Sequence, residues 1–412
     1  MSNIRDIRLK DEGHQRIAWV ARHMPVLNAV GERFAKERPF AGRRIALSIH
    51  LEAKTAYLVR TLVRGGAELF VTGSNRLSTQ DAVCAALVDD GITVNAIHGA
   101  SEEDTVALWK ETLSCRPDIV IDDGADLVNL LLGDCAAYAG RVLGGCEETT
   151  SGVQRLRGWA AAGRLPFPVM AVNDARCKSF FDNTYGTGQT VWDAIMRTTN
   201  LQINGKTVVV AGYGYCGRGV AKVAHGLGAQ VIVTEVDPVK SVLAIMDGYR
   251  AMTMAEAAPL GDIFVTVTAC CDVIRPEHFA QMKDNAIVSN AGHFNIELDL
   301  PGLKAMAVER VALRKNLDGY VLPDGRTIGV VADGGQCNIA AADGHPMEIM
   351  DMSFALQALA AEHILRRGAS LRPGVHAVPE EMDRRVGELK LRALGGACDT
   401  LSERQRAFLR AH

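Results

Sequence analysis

Several short segments hold more ionisable and hydroxyl groups than a strand end or a loop needs. In IHLEAKTA, His50 closes an apolar run and is followed by Glu52 and Lys54. IDDGADL puts Asp122 and Asp123 at the end of another such run, and GGCEETTSGV sets two glutamates, including Glu148, beside Thr149, Thr150 and Ser151. VNDARCKSFFDNTYG offers Asp174, Lys178, Asp182 and Asn183. Lys178 and Asp182 are four apart, so on a helix they share one face. Imidazole, carboxylate and amine groups together suit proton transfer. Taken singly, each residue has a structural reading as a cap, a surface ion pair or a satisfied loop. Their recurrence at the C-terminal ends of predicted strands points instead to one shared site, because open α/β sheets bind ligands there.

A second signal is local and of a different kind. VVVAGYGYCGRGVAK reads as a buried strand, a glycine-rich turn and the start of a helix. Gly212 makes the tight turn, Gly214 lets a pyrophosphate approach the backbone, and Gly217 allows close helix–strand packing. The phosphates meet the positive end of the helix. The next predicted strand ends at Glu235, placed to bind an adenosine ribose 2′-hydroxyl and to repel a 2′-phosphate. NAD is therefore expected rather than NADP. A Rossmann sheet without a ligand is the plainer alternative.

These signals sit on an alternating framework. Residues 1 to about 40 read as helical, with Ile17, Val20, Ala21 and Met24 at helical spacing. RRIALSIH, AELFVTGS, ITVNAI and PDIVIDD read as strands separated by helices, one running from Thr79 to Val88 with the serine of LST as its cap. A second unit begins near Gln189, with strands TVVVAGY, QVIVTEV, IFVTVT and AIVSNA. The fold expected is α/β, with two doubly wound parallel-sheet domains and a helical C-terminal segment. The divisions are residues 1–186 for the first part of a substrate domain, 187–344 for a cofactor domain, and 345–412 for a return to the first domain plus a helical tail.

Bulk properties exclude several function classes. A net charge of −3 with interspersed signs gives no nucleic-acid or membrane surface. No apolar run spans a bilayer, and the charged N-terminus has no secretion signal, so a cytoplasmic protein is expected. The ten cysteines form no CxxC pair, and the only close pair is the adjacent Cys270 and Cys271. They read as reduced thiols, with neither disulfides nor a metal site.

Read together and in order, HLEAKTA, STQD, DDGADL, EETTSGV, KSFFDNTYG, GYGYCGRG, TEVDP, NAGHFNIE and DGHP resemble the S-adenosylhomocysteine hydrolase family from about residue 10 to about 405. HLEAKTA and YGTGQ are similar to its shorter archaeal and bacterial branch. The resemblance implies a nucleoside bound between the two domains and a tightly held NAD that is regenerated each turnover. The implied chemistry oxidises the ribose 3′-hydroxyl, removes the C4′ proton, expels the 5′ thiol, adds water and reduces the ketone. It implies Lys178 and Asp182 at the 3′-hydroxyl, and His50, Asp123 and His293 at C4′ and the leaving group. It implies Glu148 as a ribose ligand and His345 at a hinge against the nucleobase. Thr149, Thr150, Ser151, Asn183, Glu235 and Asn338 are implied as cofactor contacts. A depressed pKa is expected for Lys178. A homo-oligomer, tetramer or dimer, is also implied.

Four departures from the family pattern fall near the base and the 5′ group. Glu52 and Lys54 stand where animal-type members hold a threonine and a glutamate that contact the nucleoside. The short branch shares this swap and takes inosyl as well as adenosyl substrates. GQCNI, from Gly335 to Ile339, replaces the usual RLVNL, and ACCDVI, from Ala269 to Ile274, replaces a glycine-containing turn. The chain ends at QRAFLRAH, without the lysine and tyrosine that many relatives send to a neighbour's NAD, so looser cofactor binding, or a pocket closed another way, is expected. Two enzymatic readings stay open: a hydrolase of S-adenosylhomocysteine or its S-inosyl analogue, and a biosynthetic paralogue that dehydrates a nucleoside to its 4′,5′-alkene. A silent nucleotide-binding regulator is disfavoured by the retained polar set.

Overall fold

A computed structural model describes residues 2–411 of the chain. Two sheets carry it. The first contains β1 (Arg44–Ile49), β2 (Glu68–Gly73), β3 (Thr93–Val94), β4 (Ile119–Asp122), β5 (Gly144–Glu147) and β6 (Pro168–Ala171). The second contains β7 (Thr207–Ala211), β8 (Gln230–Thr234), β9 (Arg250–Ala251), β10 (Ile263–Thr266), β11 (Ile287–Asn290), β12 (Glu309–Arg314), β13 (Leu317–Val321) and β14 (Thr327–Val331). The last strand, β15 (Gly374–Ala377), returns to the first sheet beside β6.

The strand orders decide where a ligand can sit. The first sheet runs β15-β6-β5-β4-β1-β2-β3, and all its pairings are parallel. Chain progress from β1 goes one way to β3, and from β4 the other way to β6, so the order reverses between β1 and β4. The second sheet runs β12-β13-β14-β11-β10-β7-β8-β9 and reverses between β7 and β10. At such reversals the loops after neighbouring strands splay apart and leave a crevice at the carboxyl ends.

The core explains the near-continuous apolar strands. Helices cover both faces, so Val208, Val209 and Val210 are all fully buried, as parallel strands require. The long helix Met347–Arg367 packs Phe354, Leu356 and Leu359 into the core of the first sheet, together with Leu27 and Phe34 from the N-terminal helices.

Some expectations change in detail. The N-terminal helical stretch is two helices, Lys10–Ala21 and Pro25–Glu37. The helix expected from Thr79 spans Asp81–Asp89, and Gln80 is its N-cap; Ser78 serves His50 instead. ITVNAI contributes only the two residues of β3. The second sheet is not wholly parallel, since β12, β13 and β14 pair antiparallel. The C-terminal segment is not only helical, since β15 precedes the helices Glu380–Ala393 and Glu403–Ala411.

Candidate active site

Both crevices are occupied by the residues singled out from the sequence. His50 follows β1, Asp123 follows β4 and Glu148 follows β5. Gly212 follows β7, Glu235 follows β8, and Ala291-Gly292-His293 follows β11. The two crevices open onto each other. A cleft of about 890 Å³ runs along the second sheet, past Gly212, Gly214 and Glu235. A pocket of about 90 Å³ adjoins it on the first sheet, lined by His50, Glu52, Lys54, Asp123 and Glu148. Lys178, Asp182, His293, His345 and Gln336 line both.

Lys178 and Asp182 meet through an unusual backbone. Ser179–Gly186 is a π-helix, a wide turn found mostly at functional sites. It brings the Lys178 Nζ to 3.4 Å from Asp182 Oδ1 and 4.0 Å from Glu148 Oε1. Nζ donates to Asn183 Oδ1 at 2.9 Å and to Asn173 Oδ1 at 3.3 Å. Burial pulls the Lys178 pKa down, but the carboxylates of Asp182 and Glu148 outweigh it and the net direction is up. The expected depression is thus reversed, because the amine faces two carboxylates. Burial likewise pushes Asp182 up, and Lys178 and His345 overcome it, holding Asp182 well below the usual carboxylate range. His345 Nδ1 lies 3.0 Å from Asp182 Oδ1, and Ser353 donates to Asp182 Oδ2 at 3.2 Å. His345, expected against a nucleobase, therefore faces Asp182.

The second cluster is built on His50. Its Nδ1 is 2.8 Å from the Ser78 hydroxyl, whose own proton goes to the Asn75 carbonyl at 2.9 Å. The serine oxygen is thus the acceptor, the Nδ1 carries hydrogen, and the lone pair of the neutral ring lies on Nε2. Nε2 is 3.5 Å from Asp123 Oδ2, and His293 Nδ1 is 4.0 Å from Asp123 Oδ1. Burial drives the His50 pKa down to about 4, against the pull of Asp123. His50 is therefore neutral at neutral pH and free to accept a proton. Ser74 donates to Asp123 at 3.1 Å and fixes it.

Neighbouring carboxylates hold this arrangement rather than join it. Glu147 accepts the N–H groups of Gly124, Ala125 and Thr149, which ties the turn after Asp123 to the loop after Glu148. Asp122 accepts from Asp123 and Val128. Asp174 pairs with Arg157 on the surface. For these three the structural reading suffices.

The pocket contains unmet acceptors. Gln357 donates to Glu148 Oε2, while Glu148 Oε1 is buried without a hydrogen-bond partner. Burial raises the Glu148 pKa to about 8, against Lys178. Gln336 Oε1 is also buried and unpartnered. Glu52 and Lys54 bind each other at 2.9 Å, and Lys54 Nζ donates to the Asp343 carbonyl at 3.1 Å.

The cleft fits a dinucleotide. Gly212 has φ +101°, a conformation that favours glycine, and a β-carbon at Gly214 would meet open space where a pyrophosphate needs room. A β-carbon at Gly217 would overlap the Gly212 carbonyl oxygen. The helix Tyr215–Gly226 starts at this cradle. The Glu235 carboxylate accepts from the N–H groups of Tyr213, Val236 and Asp237, which fixes it at the cleft wall. Ser151 Oγ lines the cleft, buried and unpartnered, while Thr150 donates to Asn173. Asn338 is fully buried; it donates to Thr190 and does not line the cleft. Gly217→Ala is expected to cost about 1–3 kcal/mol of stability by overpacking. A lowered melting temperature together with weakened NAD binding checks this.

Comparison with known proteins agrees with this geometry. Residues 183–344 match the model of the S-adenosyl-L-homocysteine hydrolase NAD binding domain, and residues 1–142 match the S-adenosyl-L-homocysteine hydrolase model. The chain is 52% identical to an adenosylhomocysteinase of Aquifex aeolicus over 99% of this chain and 98% of that one. It is 49% identical to an S-inosyl-L-homocysteine hydrolase of Methanopyrus kandleri over 99% and 96% of the two chains. The chain belongs to the S-adenosyl-L-homocysteine hydrolase family. NAD is its cofactor, and the region matched as NAD-binding contains every strand of the second sheet, along which the larger cleft runs.

Within this family enzyme, several residues that hold the site are not assigned that role from the sequence, where Ser78 reads only as a helix cap. Ser78 orients His50, Asn173 holds Lys178, Ser353 holds Asp182, and Gln357 holds Glu148. Ser353 and Gln357 had one readable signal: they are polar and four apart within the mostly apolar stretch 350–361 of a helix that is buried along most of its length. Of the departures, Gln336 lines both cavities, whereas Cys337 is fully buried in the core of the second sheet.

Proposed function

We propose that the protein hydrolyses S-adenosyl-L-homocysteine or its S-inosyl analogue to a nucleoside and homocysteine, with NAD regenerated in each turnover. One observation carries this reading: two separate proton-transfer clusters, Lys178–Asp182 and His50–Asp123, face one continuous cavity. A simple dehydrogenase needs only the first. The names of the relatives, adenosylhomocysteinase and S-inosyl-L-homocysteine hydrolase, support it.

NAD, when bound, supplies the hydride acceptor for the carbon bearing the 3′-hydroxyl and later returns the hydride. Lys178, once its ammonium has lost a proton, takes the 3′-hydroxyl proton. It releases its own proton more readily when a second positive charge enters this buried cleft. Asp182, held by His345 and Ser353, keeps Lys178 in place. The orphan Oε1 of Glu148 pairs with a ribose hydroxyl, which removes the cost of a buried unpartnered polar atom. The Nε2 of His50 accepts the C4′ proton made acidic by the 3′-ketone. Asp123 stabilises the resulting imidazolium, and with His293 it serves proton delivery to the departing thiolate. Closure of the two sheets' loops around the nucleoside excludes water while the ketone exists.

The substrate half comprises residues 1–186 and 345–412, and residues 187–344 form the cofactor unit. The return of β15 to the first sheet supports this division. Glu52 and Lys54 face the nucleobase. Lys54 Nζ donates and cannot accept, which suits a carbonyl-bearing base over an amino-bearing one. The protein works in the cytoplasm as a homo-oligomer, dimer or tetramer. Free cysteines throughout the described residues support the first. The exposed face of Val239, Val242 and Met246 on the helix Pro238–Met246 supports the second.

The test is thiol release from S-adenosylhomocysteine and S-inosylhomocysteine by the NAD-loaded protein. Release from both is expected, with higher kcat/KM for the inosyl substrate. No thiol, with a nucleoside that has lost one water, would select the dehydrating alternative instead.

A further inference from the structure

Most of the ten cysteines are out of reach. Six are buried, and burial pushes such thiols up, Cys115 to about 12 and Cys337 to about 11. Cys270 and Cys271 differ in three respects: they are adjacent, both are exposed, and both line the NAD cleft. No step proposed above uses them. Their turn leaves β10 and is anchored on both sides by Glu297. The Glu297 carboxylate accepts from the N–H of Thr268, the N–H of Ala269 and the Thr268 hydroxyl. Its carbonyl accepts from the N–H groups of Val273 and Ile274. Between these anchors, Ala269 (φ 56°) and Asp272 (φ 51°) take left-handed conformations on either side of the pair. The two thiols are thus presented at the tip of a pinned turn.

We propose that Cys270–Cys271 is a thiol-modification site at the mouth of the NAD cleft, that it reacts with small-molecule disulfides, and that its modification obstructs the cofactor. The Asp272 carboxylate and Cys270 push the Cys271 thiol up, so attack begins at Cys270. The Cys270 thiolate attacks one sulfur of the disulfide, whose S–S bond breaks; a mixed disulfide forms and one thiolate leaves. Cys271, giving up its proton, then attacks the Cys270 sulfur and expels the second thiolate. Two protein thiols are oxidised, one small disulfide is reduced to two thiols, and the two protein protons end on those thiols. Adjacent α-carbons are about 3.8 Å apart, below the roughly 4.4–6.8 Å of relaxed disulfides. The resulting ring is strained and readily reduced, which makes the modification reversible.

The test uses the full-length protein and 2-hydroxyethyl disulfide. Peptide mass spectrometry is expected to find either the adduct or the loss of two hydrogens on the peptide carrying both cysteines. NAD affinity by equilibrium dialysis should fall about tenfold, an energetic effect of the size of one lost contact, and dithiothreitol should restore it. Treated and untreated Cys270→Ser/Cys271→Ser protein should bind NAD alike, whereas Cys398→Ser should remain as sensitive as the parent chain. Modification confined to other cysteines, modification of the pair with unchanged NAD affinity, or sensitivity retained in the double variant would each overturn the proposal.

Discussion

Lys178→Ala is expected to abolish reduction of bound NAD by substrate, read as the missing near-ultraviolet absorbance of reduced nicotinamide in a single-turnover mixture. Loss of a positioned proton acceptor costs about 10²–10⁴-fold, and here the acceptor's partners are disturbed too. The amine lies between Asp182 and Glu148, and all three are buried. Truncation leaves Asp182 to His345 and Ser353 alone, so some stability is lost as well, on the order of 3–5 kcal/mol for a buried pair with one partner removed. A melting curve separates the two effects: a folded variant that binds NAD yet never reduces it isolates the chemical role. The pH dependence has a defined sign. The raised Lys178 pKa contributes stability that is complete below the unfolded value near 10.5 and is lost as pH rises through the folded value. The lowered Asp182 pKa contributes stability above the unfolded value near 3.8 and loses it as pH falls through the folded value. Between those limits the pair stays charged, so in the cofactor-free protein neither Lys178 nor Asp182 is expected to change its contribution to stability near neutral pH, read as a flat melting temperature there.

What the chain discloses before folding follows from how local each cause is. Gly212, Gly214 and Gly217 are legible because a left-handed turn, open space for a pyrophosphate and a helix pressed on a strand demand glycine at fixed spacing. His50 and Asp123 are legible as polar residues at the ends of apolar strands. That they meet depends on β1 and β4 being neighbours, which follows only from the sheet order. Contacts such as His345 to Asp182 join segments that no periodicity relates. The π-helix at Ser179–Gly186 is equally hidden: its sequence reads as an ordinary helix, and the buried Lys178 and Asp182 accompany its wider turn. The hairpin between β13 and β14 did have a local cue in Pro323-Asp324-Gly325, which the surrounding alternation of strand and helix masks. β15 has none. Four residues, each partly exposed or more, show neither alternation nor a long apolar run, and only β6 makes them a strand.

Asp123→Asn should separate the second chemical stage from the first. The substitution keeps size, and Ser74 can still donate to the remaining carbonyl oxygen, so the loop held by Glu147 keeps its shape. What disappears is the negative charge 3.5 Å from His50 Nε2. That charge is what opposes burial at His50, whose pKa already lies near 4; without it the imidazole becomes a still weaker base and its protonated form loses its partner. Lys178 and Asp182 keep every direct contact they have. Substrate should therefore still reduce bound NAD within a few-fold of the parent rate, while thiol release slows by about 10²–10³-fold, the range for an impaired general base. Reduced cofactor should accumulate, because a 3′-ketone that cannot lose its C4′ proton can only wait or revert. If both steps fell equally, one cluster would be serving both and the assignment of two proton-transfer sites to one cavity would fail.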